Sequence, residues 1–149
     1  MEVKIRKLLP GDVAPFMELL DLFRDVLETD EVTKAPPEHL QCLLARPDFI
    51  VFVARSANRV VGGATAYVLT PYHSEKPLIY LYDLAVSAAC QGQGIGTKLL
   101  AQLTQYCRSL GAEELFVQAD EEDVQALAFY RATGGAASPV THFTYLLTD

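Results

Sequence analysis

An α/β fold, with a mixed, mostly antiparallel sheet flanked by helices, is predicted by three observations in this chain. Three extended runs follow one another between residues 49 and 86 with only turns between them, as hairpin-connected strands do. A long amphipathic helix covers residues 94–110, with its apolar side chains on one stripe. Strand-like and helix-like segments fall in the order βααβββαβαβ, which argues a sheet with helices on both faces. The 149 residues suit a single domain, residues 1–149, without repeats or a linker long enough to separate two.

The elements follow in order. Residues 3–8 read as an opening strand stopped by Pro10-Gly11. From about 11 to 27, Val13, Phe16, Leu19, Leu20, Phe23 and Leu27 recur at helical spacing behind Asp12, a plausible N-cap. Pro36-Pro37 opens a short helix with Leu40, Leu43 and Leu44 on one face, stopped before Pro47. Phe49 to Arg55 is continuously apolar, Ala57-Asn58 fits a tight turn, and Val60 to Leu69 is rich in Val, Thr and Tyr. A longer turn around Pro71 to Pro77 leads to Leu78–Val86, where alternation sends neighbouring side chains to opposite faces. The helix over 94–110 carries Ile95, Leu99, Leu103, Cys107 and Leu110 on its stripe and stops at Gly111. Leu115 to Ala119 reads as a buried strand, 123–133 as a helix ended by Gly134-Gly135, and Thr141 to Leu147 as the last strand.

Composition narrows the function. The net charge of −7, from 19 acidic and 12 basic residues, argues against nucleic acid, which needs clustered Lys and Arg to neutralise phosphates. No apolar run approaches the ~20 residues that cross a bilayer, and the opening residues are too polar for a secretory signal. Cys42, Cys90 and Cys107 are odd in number and lack metal-like spacing, so reduced thiols in a cytoplasm and no metal are expected. Two acidic clusters stand out: Glu28, Asp30 and Glu31, and Asp120-Glu121-Glu122-Asp123. The second follows directly on an apolar strand end, where sites are commonly built.

The most informative segment is Tyr80-Leu81-Tyr82-Asp83-Leu84-Ala85-Val86, followed by Gln91-Gly92-Gln93-Gly94-Ile95-Gly96-Thr97. An apolar strand carrying one acid runs into three glycines on alternate positions, and a helix begins there. Bare N–H groups at a helix start are a ready phosphate site, and glycine lets a ligand's oxygens approach the backbone. The glycines do not fit the dinucleotide pattern G-x-G-x-x-G, and Lys98 follows Thr97 instead of preceding a hydroxyl residue as in a P-loop.

The pattern Q-x-x-G-x-G, read at Gln91, Gly94 and Gly96 after Leu84-Ala85-Val86, resembles the acyl-CoA loop of the GCN5-related N-acetyltransferases. Ala126-Leu127-Ala128-Phe129-Tyr130-Arg131-Ala132-Thr133-Gly134-Gly135 is similar to that superfamily's later A-x-x-F-Y-x-x-x-G segment. Gln91 stands where many members carry Arg. Within the superfamily, residues 80–86, Val117-Gln118-Ala119-Asp120 and His142-Phe143 look like the type I aminoglycoside 3-N-acetyltransferases, more so over the second half of the chain than over residues 1–50.

The resemblance implies acetyl-CoA as co-substrate and a small polycationic acceptor, an aminoglycoside such as gentamicin, acetylated at its 3-amino group in a homodimeric enzyme. It implies that the backbone of Leu84, Ala85 and Val86 pairs with the pantetheine arm and that residues 91–97 take the pyrophosphate. Asp123, Ala126, Phe129 and Tyr130 complete the cofactor side. Tyr130 is the candidate general acid: the departing thiolate needs a proton, and a phenol of pKa ~10 stays protonated at neutral pH. Tyr82, Asp83, Asp120, Glu121, Glu122 and His142 are the candidate acceptor-side residues. An amine of pKa ~10 facing a carboxylate near 4 leaves a gap of roughly 8 kcal/mol, so Asp83 is expected to position the cation and pass its proton through water. Acetylation of a polyamine or a protein amine, and a catalytically silent acyl-CoA sensor, remain as alternatives. Both Tyr130 and Asp83, which a sensor does not need, are present.

Overall fold

The computed structural model of the protein describes residues 2–27 and 35–148. The first acidic cluster, at 28–31, lies outside these residues. The elements are β1 (Lys4–Lys7), α1 (Val13–Val26), α2 (Pro37–Leu44), β2 (Phe49–Ser56), β3 (Arg59–Leu69), β4 (Leu78–Val86), α3 (Ile95–Ser109), β5 (Glu114–Val117) and α4 (Val124–Ala132). The described residues fall in two compact units, Met1–Gln118 and Ala119–Asp149.

In the first unit the five strands lie in the order β1-β2-β3-β4-β5. The first four are mutually antiparallel and β5 runs parallel to β4, which gives the mixed sheet expected. The β2–β3 hairpin closes through Ala57 and Asn58, both left-handed, at φ 50° and 63°, the backbone that a two-residue turn needs to match strand twist. Two adjacent glycines mark how closely the helices approach. A Cβ on Gly63 would collide with the Leu19 side chain of α1, while one on Gly62 would press on Leu99 of α3 at 3.3 Å and on the Ala85 carbonyl at 3.0 Å. Neighbouring residues of a strand face opposite ways, so α1 packs on one face of β3 and α3 on the other.

The first face buries Leu8, Phe16, Leu19, Phe23, Leu40 and Leu44 against Phe49, Val51 and Val53. The stripe of α3 buries Ile95, Leu99, Leu103 and Cys107, but Leu110 is 39% exposed. It falls after the last helical turn, where the chain leaves through left-handed Gly111. Asp12 does stand at the head of α1, yet its carboxylate makes no cap bond. It accepts from the Leu9 N–H and from Arg6 instead, and the Arg6 hydrogen bond, then that of Leu9, holds its pKa below the ordinary value.

In the second unit, α4 begins where the Asp123 carboxylate accepts the Ala126 N–H at 3.0 Å, a side-chain N-cap. It ends as Gly134 turns left-handed and Gly135 donates to the Tyr130 carbonyl. Two expectations are corrected. The strand after α3 stops at Val117 and is only partly buried. The run Thr141 to Leu147 forms no strand among the described residues, and Phe143, Tyr145, Leu146 and Leu147 are exposed. Its β-branched and aromatic composition favours a strand, but a strand exists only with a ladder partner, and none is described for it.

Candidate functional site

The loop between β4 and α3 is built from backbone. After one 3-10 turn at Ala88–Cys90, Gly92 and Gly94 adopt φ of 79° and 80°, left-handed values that cost little only for glycine. A Cβ at either position would meet nothing within 4 Å, so conformation, not crowding by the protein, calls for glycine there. Gly94 occupies the N-cap position of α3 without any side-chain cap. The first helical bond runs from the Lys98 N–H to the Gly94 carbonyl. The N–H groups of Ile95, Gly96 and Thr97 therefore point out of the helix start, where the macrodipole favours an anion. Gln91 and Gln93 are exposed, and the Gln91 amide donates to the Val86 carbonyl at 3.0 Å. That bond ties the loop back to the end of β4.

β4 itself offers two further features. Its pairing with β5 covers Leu78 to Leu81 and stops there. Its pairing with β3 continues to Val86. The backbone of Leu84, Ala85 and Val86 thus has a ladder on one side only, and an extended ligand can pair with the other. The second feature is a bulge. Ala66 pairs with Leu81 and Thr65 with Asp83, leaving Tyr82 as the extra residue. Strict alternation, expected across 80–86, therefore fails at this point. Without the bulge, Asp83 would follow Ile79 and Leu81 toward the fully buried face. With it, Asp83 sits two residues from Ala85 and opposite Thr65, on the face of Tyr67 and Tyr80.

Burial raises the pKa of Asp83 above its ordinary value. Among the described residues, no cation or hydrogen-bond donor meets its carboxylate. Three phenols surround this position. Phe49, Tyr67, Tyr80 and Phe116 are cross-strand partners in one row over β2, β3, β4 and β5. Tyr67 leans on Phe49 at 5.1 Å, and Tyr80 stacks on Phe116 at 4.8 Å and 7°. The Tyr80 hydroxyl donates to the Gln118 amide oxygen at 3.1 Å. Tyr82 stands edge-on to both, 5.5 Å from Tyr67 at 84° and 5.6 Å from Tyr80 at 73°. The phenol pKa values of Tyr67 and Tyr80 are raised by burial first, then by the charges of Tyr82 and Asp83, so both stay protonated.

The remaining candidates lie in the second unit. Tyr130 packs its ring against Phe129 at 5.2 Å and 70°. Asp120, Glu121 and Glu122 are exposed just ahead of α4, and His142 is exposed in the following segment. The carboxylate of Asp123 caps the helix through the Ala126 N–H, which gives it a local structural task. Thus Tyr82, Asp83, residues 84–86 and the glycine loop come together on consecutive chain within the first unit. Tyr67 and Thr65 had no signal in the sequence. They join Asp83 through a strand register that no local motif encodes. Among the described residues, no group of His, Cys, Asp and Glu is arranged to hold a metal, and no helix is long and apolar enough to cross a membrane.

Comparison with known proteins places this geometry. Residues 16–134 match the model of the acetyltransferase (GNAT) family. An aminoglycoside N(6')-acetyltransferase type 1 from Stenotrophomonas maltophilia is 33% identical over 135 residues, covering 87% of this chain and 84% of the relative. A crystal structure of an aminoglycoside acetyltransferase from an uncultured soil metagenomic sample, in complex with sisomicin, is 47% identical. It superposes with a TM-score of 0.94 over 98% of this chain and 97% of that one. A second soil metagenomic aminoglycoside acetyltransferase is 34% identical, with a TM-score of 0.93 over 99% of this chain and 100% of that one.

Proposed function

The chain belongs to the GNAT acetyltransferase family, and from that premise we propose that it transfers acetyl from acetyl-CoA to an amine of an aminoglycoside antibiotic. One observation carries this reading. β4 presents, within a few residues, a backbone edge open beyond Leu81 and a half-buried carboxylate at Asp83 that meets no cation among the described residues. The first suits an extended amide-bearing arm, the second an ammonium group.

In this reading the amides at the start of α3 hold the pyrophosphate, and the open edge at Leu84–Val86 holds the pantetheine arm. Asp83 orients the acceptor ammonium, whose proton leaves through water. The neutral nitrogen then attacks the thioester carbonyl, the new C–N bond forms, and the C–S bond breaks. Tyr130 gives its proton to the departing thiolate and recovers one from solvent. Asp120, Glu121 and Glu122 hold further ammonium groups of the polycation, and His142 stands as an alternative proton relay. The enzyme works as a homodimer in the cytoplasm.

Two attacked positions compete. The motifs of the second half suggest the 3-amino group. The Stenotrophomonas relative, named for the 6′ position, aligns over 87% of the chain, well beyond those motifs, and this favours the 6′-amino group. Incubation with acetyl-CoA and sisomicin, spermidine or a Lys peptide, followed by thiol release and by NMR of the product, tests the reading. Acetylated sisomicin with one modified amine is expected. Acetylation of spermidine alone establishes a polyamine enzyme instead, and acetyl-CoA binding without any transfer establishes a sensor.

A further inference from the structure

We infer that Tyr67, Tyr80 and Tyr82 form an aromatic corner that, together with Asp83, receives a ring-borne ammonium group, and that Tyr82 sets a preference for amino sugars over flexible-chain amines. The inference rests on the proposed function and names how its acceptor is chosen.

The argument begins with rigidity. Tyr80 is held from behind by its stack on Phe116 and at its tip by Gln118. Tyr67 is held by Phe49. These two rings, cross-strand partners on neighbouring strands, make a fixed wall. Tyr82 stands nearly perpendicular to both and is 55% exposed, although it belongs to a strand whose neighbours Ile79 and Leu81 are fully buried. The bulge produces this exposure. As the extra residue opposite the Thr65–Ala66 step, Tyr82 is turned out of the ladder, and the same step brings Asp83 onto the tyrosine face. One backbone irregularity therefore assembles both halves of a cation receptor: aromatic rings, whose faces are negative, and a carboxylate that meets no counter-ion among the described residues.

Such a corner discriminates by shape. A cation gains from the fixed wall of Tyr67 and Tyr80 and from Asp83, whatever carries it. A saturated sugar ring also lays a rigid C–H face on Tyr82 and loses no internal rotation in doing so. A polyamine chain has to freeze several bonds to cover the same ring.

The test compares Tyr82→Leu and Tyr82→Phe with the wild type, with Tyr72→Leu as an exposed tyrosine outside the corner. Tyr82→Leu is expected to raise the KM and the calorimetric Kd for sisomicin about tenfold, the scale of burying one ring face against a rigid C–H surface. The kcat, the acetyl-CoA affinity and the thermal midpoint stay close to wild type, and spermidine affinity changes less than about twofold. Tyr82→Phe keeps the ring and binds like wild type. An unchanged sisomicin affinity in Tyr82→Leu overturns the inference. Equal losses for sisomicin and spermidine overturn it too, as does a Tyr82→Phe variant as weak as Tyr82→Leu. If the wild type binds sisomicin but transfers no acetyl group, the proposed activity fails, while the Kd series still decides the corner. If it binds acetyl-CoA but no amino sugar at all, the corner is overturned.

Discussion

The glycine loop before α3 and the tyrosine corner of β3 and β4 flank the same end stretch of β4, yet they are made of different material. The loop is backbone: left-handed Gly92 and Gly94 and the outward N–H groups of Ile95, Gly96 and Thr97. The corner is side chain: three rings and one carboxylate gathered from β3 and β4 by a register shift. A backbone site spreads its work over several equivalent donors, none of which a substitution other than proline deletes. A side-chain site concentrates it, and loses it with a single atom.

That contrast predicts the ranking of variants. The largest effect is expected at the corner: Asp83→Asn lowers kcat/KM for sisomicin about a hundredfold, the cost of removing one partner from a desolvated charge contact, while acetyl-CoA affinity in calorimetry holds. The same residue gives a pH test. Burial raises the Asp83 pKa above 3.8, so the receptor loses its charge, and kcat/KM falls, at a pH higher than an ordinary aspartate would require. For stability the sign is opposite to that of a salt-bridged acid. The folded pKa lies above the unfolded one, so the ionised group costs stability. The cost is absent well below 3.8, grows as pH rises from there through the raised value, and is complete above it. Asp83→Asn should therefore raise the melting temperature at neutral pH and lose that advantage in acid.

Next in size is Tyr130→Phe. Loss of a proton donor should cut kcat about thirtyfold, below the usual range for general acids because a thiolate of reference pKa ~8.5 leaves readily without one. An unaltered rate where chemistry limits turnover reassigns Tyr130 to packing on Phe129. The loop should yield less. Gly94→Val forces a β-branched residue to φ 80°, and that strain alone weakens acetyl-CoA about tenfold, with the remaining amides still bound. A collapse of binding as complete as the Asp83 effect on the acceptor would erase the contrast between the two sites. Smallest is Asp120→Asn, an exposed charge, which should raise the acceptor KM about threefold and lose that effect at high salt.

The same division explains what was legible in the sequence. Residues 91–97 could be read because glycine requirements and a helix start are local, and because Ile95, Leu99 and Leu103 keep their period for the length of α3. The strands from Phe49 to Val86 were legible for the same reason, down to the Ala57-Asn58 turn. Asp83 stood out as an acid in an apolar run, but its face did not, since alternation counted from Leu78 gives the wrong side once Tyr82 is inserted. Tyr67 was invisible: only the pairing of β3 with β4 brings it to Asp83. The run from Thr141 to Leu147 has the composition of a strand, but composition cannot supply the neighbour that makes one.

The order of the sheet carries one more consequence. Because β1 to β5 lie side by side in the order in which they are synthesised, each new strand leaving the ribosome finds its neighbour already waiting. Two additions need long excursions: from β1 to β2 through α1 and α2, and from β4 through α3 to the parallel β5. Strands β2, β3 and β4 can therefore assemble through short loop closures, which are fast. The β4 bulge is set in the last of these short steps, before the parallel strand β5 closes the edge.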